Sequence, residues 1–204
     1  LGEAQTQPTP ERETPPPDAK SEIHLAIVVG HEKNKPGAEF NGDFYESEYE
    51  FNSAIAELVK TLAGDVKVSI VYRDGIGISG AYKKVTELNP DLCVELHFNA
   101  YNEKAYGSET LHSPDLMDKT WADLIHKKIC VAFERGGNSR GLKALSKSDR
   151  GAQSCYALTR IPNCLVEPFF GDNPSEASYA STHMKEYALS ILDAVREWKQ
   201  IFIS

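Results

Sequence analysis

The hydrophobic pattern changes character along the chain. From residue 21 onward, short apolar runs alternate with longer stretches whose apolar positions recur at helical spacing. Strands are predicted at Ile23–Val29, Val66–Tyr72, Leu92–Phe98, Ser108–His112 and Cys164–Phe169. Several are apolar without alternation, as strands covered on both faces are. Between them, Ser47 and Glu50 read as a capping box. Phe51, Ile55, Leu58, Val59 and Leu62 then form one apolar face, and Gly64 stands just past the end. Further helices are predicted over Gly77–Leu88 and Lys119–Glu134. A last one opens at Asn173-Pro174, with Met184, Tyr187, Ala188, Ile191, Val195 and Trp198 as its buried stripe. Strands alternating with helices predict the α/β class: one domain with a twisted, mostly parallel sheet flanked by helices.

Residues 1–20 break this pattern. They hold five of the eleven prolines and almost nothing apolar, so they read as a Pro-rich disordered linker. Residues 21–204 are expected to be the folded domain. A chain opening on Leu1 with such a linker is expected to derive from something longer, with a signal, anchor or targeting module upstream.

Composition narrows the function. Lys plus Arg total 22 against 30 Asp plus Glu, a formal charge of -8. That balance excludes an ordinary nucleic-acid binder, whose affinity comes from cations meeting phosphates. No apolar run approaches the ~20 residues that span a bilayer. The four cysteines lack C-x-x-C spacing, so thiolate zinc fingers are not expected. Cys155 and Cys164 are the pair able to bridge in an oxidising setting, with four free thiols the simpler expectation.

Chemistry in open α/β sheets gathers beyond the carboxyl ends of the strands. Three strands end in polar residues there: the first meets His31, the third carries His97, and the late one carries Glu167. Two imidazoles and a carboxylate suit Zn²⁺, and a catalytic site keeps one position open. Glu39, Asp43, Glu46 and Glu48 are the acidic candidates for a further ligand, Glu50 being taken by the capping box. Composition does not choose among them. Glu95 lies two residues before His97 on the same strand face and is a candidate to orient the imidazole from behind. His24, His112, His126 and His183 have no partner at metal spacing. His24 is expected at an edge or in solvent, and His112 near the cleft.

Six sequence elements, in order, resemble the Amidase_3 type of zinc-dependent N-acetylmuramoyl-L-alanine amidases of bacterial walls and phage endolysins. They are Gly30-His31; Glu48 four residues before Asn52 and the run Ala54-Ile55-Ala56; His97-Phe98-Asn99-Ala100; Gly107-Ser108-Glu109-Thr110; Asn138-Ser139-Arg140-Gly141-Leu142-Lys143; and Leu165-Val166-Glu167 before Phe170, Asn173 and Pro174. The resemblance spans nearly all of residues 21–204. It implies that His31, Glu48 and His97 bind one Zn²⁺ per chain, and that Glu167 is the catalytic carboxylate. Asn99 and Arg140 are candidates to hold substrate. The implied reaction cleaves the amide between N-acetylmuramic acid and L-alanine of the stem peptide in peptidoglycan, outside the cytoplasm or in phage lysis. Residues 21–204 would then be the zinc amidase catalytic domain, with a wall-binding module upstream or downstream as an expected companion. A wall peptidase and a noncatalytic wall-binding or structural module are the rival readings. Glu32-Lys33 and Pro168-Phe169 depart from the family's usual residues around these motifs. No room for an autoinhibitory helical insertion is found between Ala100 and Glu134.

Overall fold

The computed structural model describes residues 22–134 and 139–203. The expected linker and Asn138 therefore lie outside the described residues. Six strands form one sheet: β1 (Ile23–Val29), β2 (Val66–Tyr72), β3 (Leu92–Leu96), β4 (Ser108–His112), β5 (Ser139–Ala144) and β6 (Asn163–Glu167). Their spatial order is β2-β1-β3-β6-β4-β5. All neighbours run parallel except β4 against β6. The helices are α1 (Glu48–Leu62), α2 (Gly77–Leu88), α3 (Leu116–Ala132), the short α4 (Ala152–Cys155), α5 (Pro174–Thr182) and α6 (Met184–Phe202).

Period-two geometry explains the uninterrupted apolar strands. In β1, Leu25, Ile27 and Val29 face a core shared with Phe51, Ile55 and Val59 of α1, Trp121, Ile125 and Ile129 of α3, and Ile191 and Val195 of α6. Ala26 and Val28 face the other side, against Ala81, Tyr82 and Val85 of α2. Both faces are covered, so no position can be polar without cost. Helix α1 starts where its capping signal predicts. Ser47 accepts the N–H of Glu50, and Gly64 past its end takes φ +61°.

Several boundaries differ from the sequence expectation. β3 stops at Leu96 and β6 at Glu167, both short of the predicted aromatic ends. Pro168 has no N–H to continue the ladder, and beyond it Asn99 donates its N–H to the Phe169 carbonyl and accepts the N–H of Gly171. α3 begins at Leu116, because Asp115 accepts the N–H groups of Met117 and Asp118. The predicted terminal helix is two helices divided at His183, and the apolar stripe belongs to the second. β5 is an edge strand the pattern did not announce. Its residues are mostly exposed, and Gly141 sits at φ +79°.

All four cysteines are free, so Cys155 and Cys164 do not bridge. Burial pushes the thiol of Cys164 well up. His24 is buried, not at an edge. Its N–H donates to Asp91 and its Nε2 meets the Ser69 hydroxyl at 2.9 Å. His112 is also buried, with Nδ1 on the carbonyl of Ser113, and takes no part in the cleft described next.

Candidate metal centre and active site

A cleft of about 490 Å³ opens at the carboxyl ends of the parallel strands. His31, Glu48, His97, Asn99, Glu109 and Glu167 line it. The chain arrives at each by a different local device. His31 follows β1 directly and holds φ +66°, a conformation uncommon for a side chain larger than glycine. Glu48 is the first residue of α1, placed by the Ser47 cap. His97 and Glu167 leave adjacent parallel strands at the same height, with the His97 N–H on the Val166 carbonyl.

His31, Glu48 and His97 bring one donor atom each within 4.8 Å of one another. Glu48 lies between the imidazoles: Oε2 is 3.1 Å from His31 Nε2, and Oε1 is 2.8 Å from His97 Nδ1. Backbone N–H groups of Ala38 and Phe98 donate to the same carboxylate. Burial would raise the pKa of Glu48, but the two histidine hydrogen bonds and charges outweigh it and hold the group far below the usual carboxylate range. His97 shows the converse. Burial would lower it, yet Glu48 and Glu95 together raise it to about 10. A pocket that draws a proton this strongly is electrostatically suited to a cation. Two imidazoles and a carboxylate are a donor set that suits zinc, so the residues present fit that ion.

Two glycines make this crowding possible. A Cβ on Gly30 would lie 2.5 Å from both His97 Cε1 and the Leu96 carbonyl oxygen. One on Gly37, at φ +85°, would lie 2.6 Å from Glu48 Oε2 and 2.8 Å from His31 Cδ2.

Behind His97, Glu95 is fully buried and accepts from three sides. His97 Nε2 is at 3.0 Å, Arg73 Nη1 at 2.8 Å and the Tyr82 hydroxyl at 2.7 Å. Burial opposes its charge, but His97 hydrogen bonding and charge, then Ser154 and Arg73, lower its pKa to about 2. Sequence reasoning named Glu95 and missed Arg73, whose signal was a lone cation just beyond β2.

Glu167 stands in the same cleft but outside the three-donor cluster. Opposite it across the antiparallel β4–β6 ladder is Glu109. Burial, and then the hydrogen bond to Glu109, push Glu167 up to about 8 against the pull of His97. Asn99 Nδ2 donates to Glu109 Oε1 at 2.7 Å, and Arg140 Nε to Oε2 at 2.9 Å. Asn99 and Arg140, the substrate-binding candidates, thus converge on Glu109. Arg140 also lies over the Phe170 ring at 5.1 Å. Glu109 was quoted from the sequence only as part of a motif, with no role.

A larger groove of about 990 Å³ lies at the opposite ends of the strands, lined by Asp91, Pro162, Trp198 and Phe202. Among the described residues, the three-donor cluster belongs to the smaller cleft alone.

The chain can now be set beside known proteins. It matches none of the curated proteins. Its fold is that of the catalytic domain of CwlV, an N-acetylmuramoyl-L-alanine amidase from Bacillus (Paenibacillus) polymyxa var. colistinus. That comparison has a TM-score of 0.74 at 21% identity over 88% of this chain and 99% of the other. An N-acetylmuramoyl-L-alanine amidase from Clostridium difficile 630 gives 0.75 at 20% identity, over 89% and 98%. The catalytic domain of the CD27L endolysin, which targets Clostridia difficile, gives 0.68 at 24% identity, over 86% and 97%. The Amidase_3 family model, described as N-acetylmuramoyl-L-alanine amidase, matches residues 25–197. That match covers most of the chain and every residue of the cleft named above, so this chain belongs to the Amidase_3 family and is a peptidoglycan amidase.

Proposed function

We propose that His31, Glu48 and His97 hold one Zn²⁺ and that Glu167 moves the proton in hydrolysis of the amide joining N-acetylmuramic acid to L-alanine. The observation that carries this reading is the geometry of the cleft: three donors within 4.8 Å, and a fourth carboxyl nearby but outside that set. An ion held there supplies Lewis acidity, polarising an amide carbonyl and acidifying water.

The chain's own residues do the rest. Glu48, lying between the two imidazoles, would neutralise one charge of the ion. Glu95 fixes His97 by accepting from Nε2, leaving Nδ1 directed at the cleft. Glu167 takes a proton from the attacking water and returns it to the departing nitrogen, since an amide nitrogen leaves poorly as an anion. Its burial favours the protonated form that exists between those two transfers.

No helix among the described residues is long and apolar enough to cross a membrane. We assign the site of action outside the cytoplasm, because the polymer is there. The test is mass spectrometry of peptidoglycan digested by the zinc-loaded protein. Free stem peptides with a new alanine amino terminus are expected; new termini only within the stem peptide would replace amidase by peptidase.

A further inference from the structure

The cleft contains a carboxyl group that the chemistry above does not use. Glu109 is mostly buried and stands directly opposite Glu167 in the β4–β6 register, where paired side chains share one face of the sheet. Two carboxyls so placed ionise together only at a cost, so the pair takes up a proton more readily than a lone carboxyl does. Which one carries it is decided by the other neighbours. Glu109 has Asn99 on one oxygen and the Arg140 guanidinium on the other, both donors. Glu167 has no cation paired with it at salt-bridge distance among the described residues. When the pair takes up a proton, the proton therefore goes to Glu167 and the charge stays on Glu109.

We propose that Glu109 is a positioning residue for Glu167: fixed as an anion by Asn99 and Arg140, it accepts the hydrogen bond of Glu167 whenever Glu167 holds the reaction's proton. This deepens the reading given above and rests on it. In the step concerned, the water oxygen bonds to the carbonyl carbon while one water proton passes to Glu167. The C–N bond then breaks as that proton passes to nitrogen, leaving a carboxylate and an amine. Glu109 itself neither gains nor loses a proton. Its charge raises the proton affinity of Glu167 and so makes it a stronger base toward water.

The charged and titratable groups that share the cleft with Glu167 are Glu109 on β4, His97 beyond β3, Glu48 on α1, His31 beyond β1, Arg73 beyond β2 and Arg150 before α4. Arg140 on β5 acts on it through Glu109, and Cys155 on α4 feels its charge. Of these, Glu109 is the one directly opposite it in the strand register.

The experiment is Glu109→Gln in the zinc-loaded protein, with pH profiles of kcat and kcat/KM on a soluble wall fragment. Zinc content and melting temperature are measured alongside. The acidic limb is expected to move to lower pH by about one unit or more, the size a neighbouring charge produces. kcat should fall about tenfold or more with KM little changed. Glu109→Asp, which keeps the charge, should restore most of the limb. An unmoved limb in Glu109→Gln, with or without lost activity, overturns the proposal. A second measurement needs no turnover. Carbon NMR of ¹³C-glutamate protein, assigned with Glu167→Gln, should show the pair titrating in two steps, one below and one above the usual carboxylate range. Two ordinary, independent titrations overturn the proposal even if Glu109→Gln fails to fold. If instead the wild type releases no stem peptide, the functional reading has failed, and the two-step titration still decides the relation between the carboxyls.

Discussion

Gly37→Ala should strip zinc from this protein without altering any donor. The added methyl would lie 2.6 Å from Glu48 Oε2 and 2.8 Å from His31 Cδ2, so it strikes two members of the cluster at once. The backbone at φ +85° adds strain of its own. A side chain in the left-handed region costs roughly 1–2 kcal/mol, and overpacking a filled site costs roughly 1–3 kcal/mol more. Glu48 cannot yield freely, because Ala38 and Phe98 N–H groups and both imidazoles hold it. Much of the clash is therefore relieved by moving a donor, and a disturbed metal site ordinarily loses about 10- to 100-fold in affinity. Gly75→Ala is the control. Gly75 has φ +69° but nothing within 4 Å of its added Cβ, so it carries the strain without the clash. The assay is zinc affinity by chelator competition, with melting curves in excess chelator. Gly37→Ala should lose both affinity and stability; Gly75→Ala should lose stability alone. Equal zinc affinity in the two variants would refute the reasoning.

Other expectations follow from the same geometry. Glu167→Gln should abolish turnover while zinc stays bound; loss of the metal would make Glu167 a ligand. Glu95→Gln should weaken zinc roughly 10- to 100-fold through His97, as removal of an orienting partner does, and atomic absorption after dialysis measures it. In chelated protein, the melting temperature should fall as pH rises from about 6.5 toward 10. His97, raised to about 10 when folded, contributes stability that is complete below its unfolded pKa and lost through that window. Glu167, raised to about 8, loses its contribution from the usual carboxylate range upward, in the same direction. Zinc displaces the His97 proton, so loaded protein should not show the His97 part of the fall, and zinc affinity should rise with pH.

Much of this protein is written locally. The apolar run of β1, the start of β3, the Ser47 cap and the stripe on α6 each reflect a preference carried by a few neighbouring residues, and each stands where its pattern placed it. The polar residues closing apolar strands were likewise legible, because a charged or imidazole side chain at the end of a buried strand costs free energy unless something compensates it. His31, Glu48 and His97 do meet, although composition could not single out Glu48 and the resemblance did. β5 was not legible: an exposed edge strand leaves no periodic trace. Nor was the use of Asn99 and Arg140 on Glu109, which depends on β4 entering the sheet antiparallel beside β6. Register across strands far apart in sequence sets which carboxyls face each other, and no local propensity encodes it. The chain by itself thus determined its elements, its buried faces and the kinds of side chain at the strand ends. Only the packed sheet decided which of them touch, because proton affinity and ion binding depend on distances between side chains that the sequence keeps tens of residues apart.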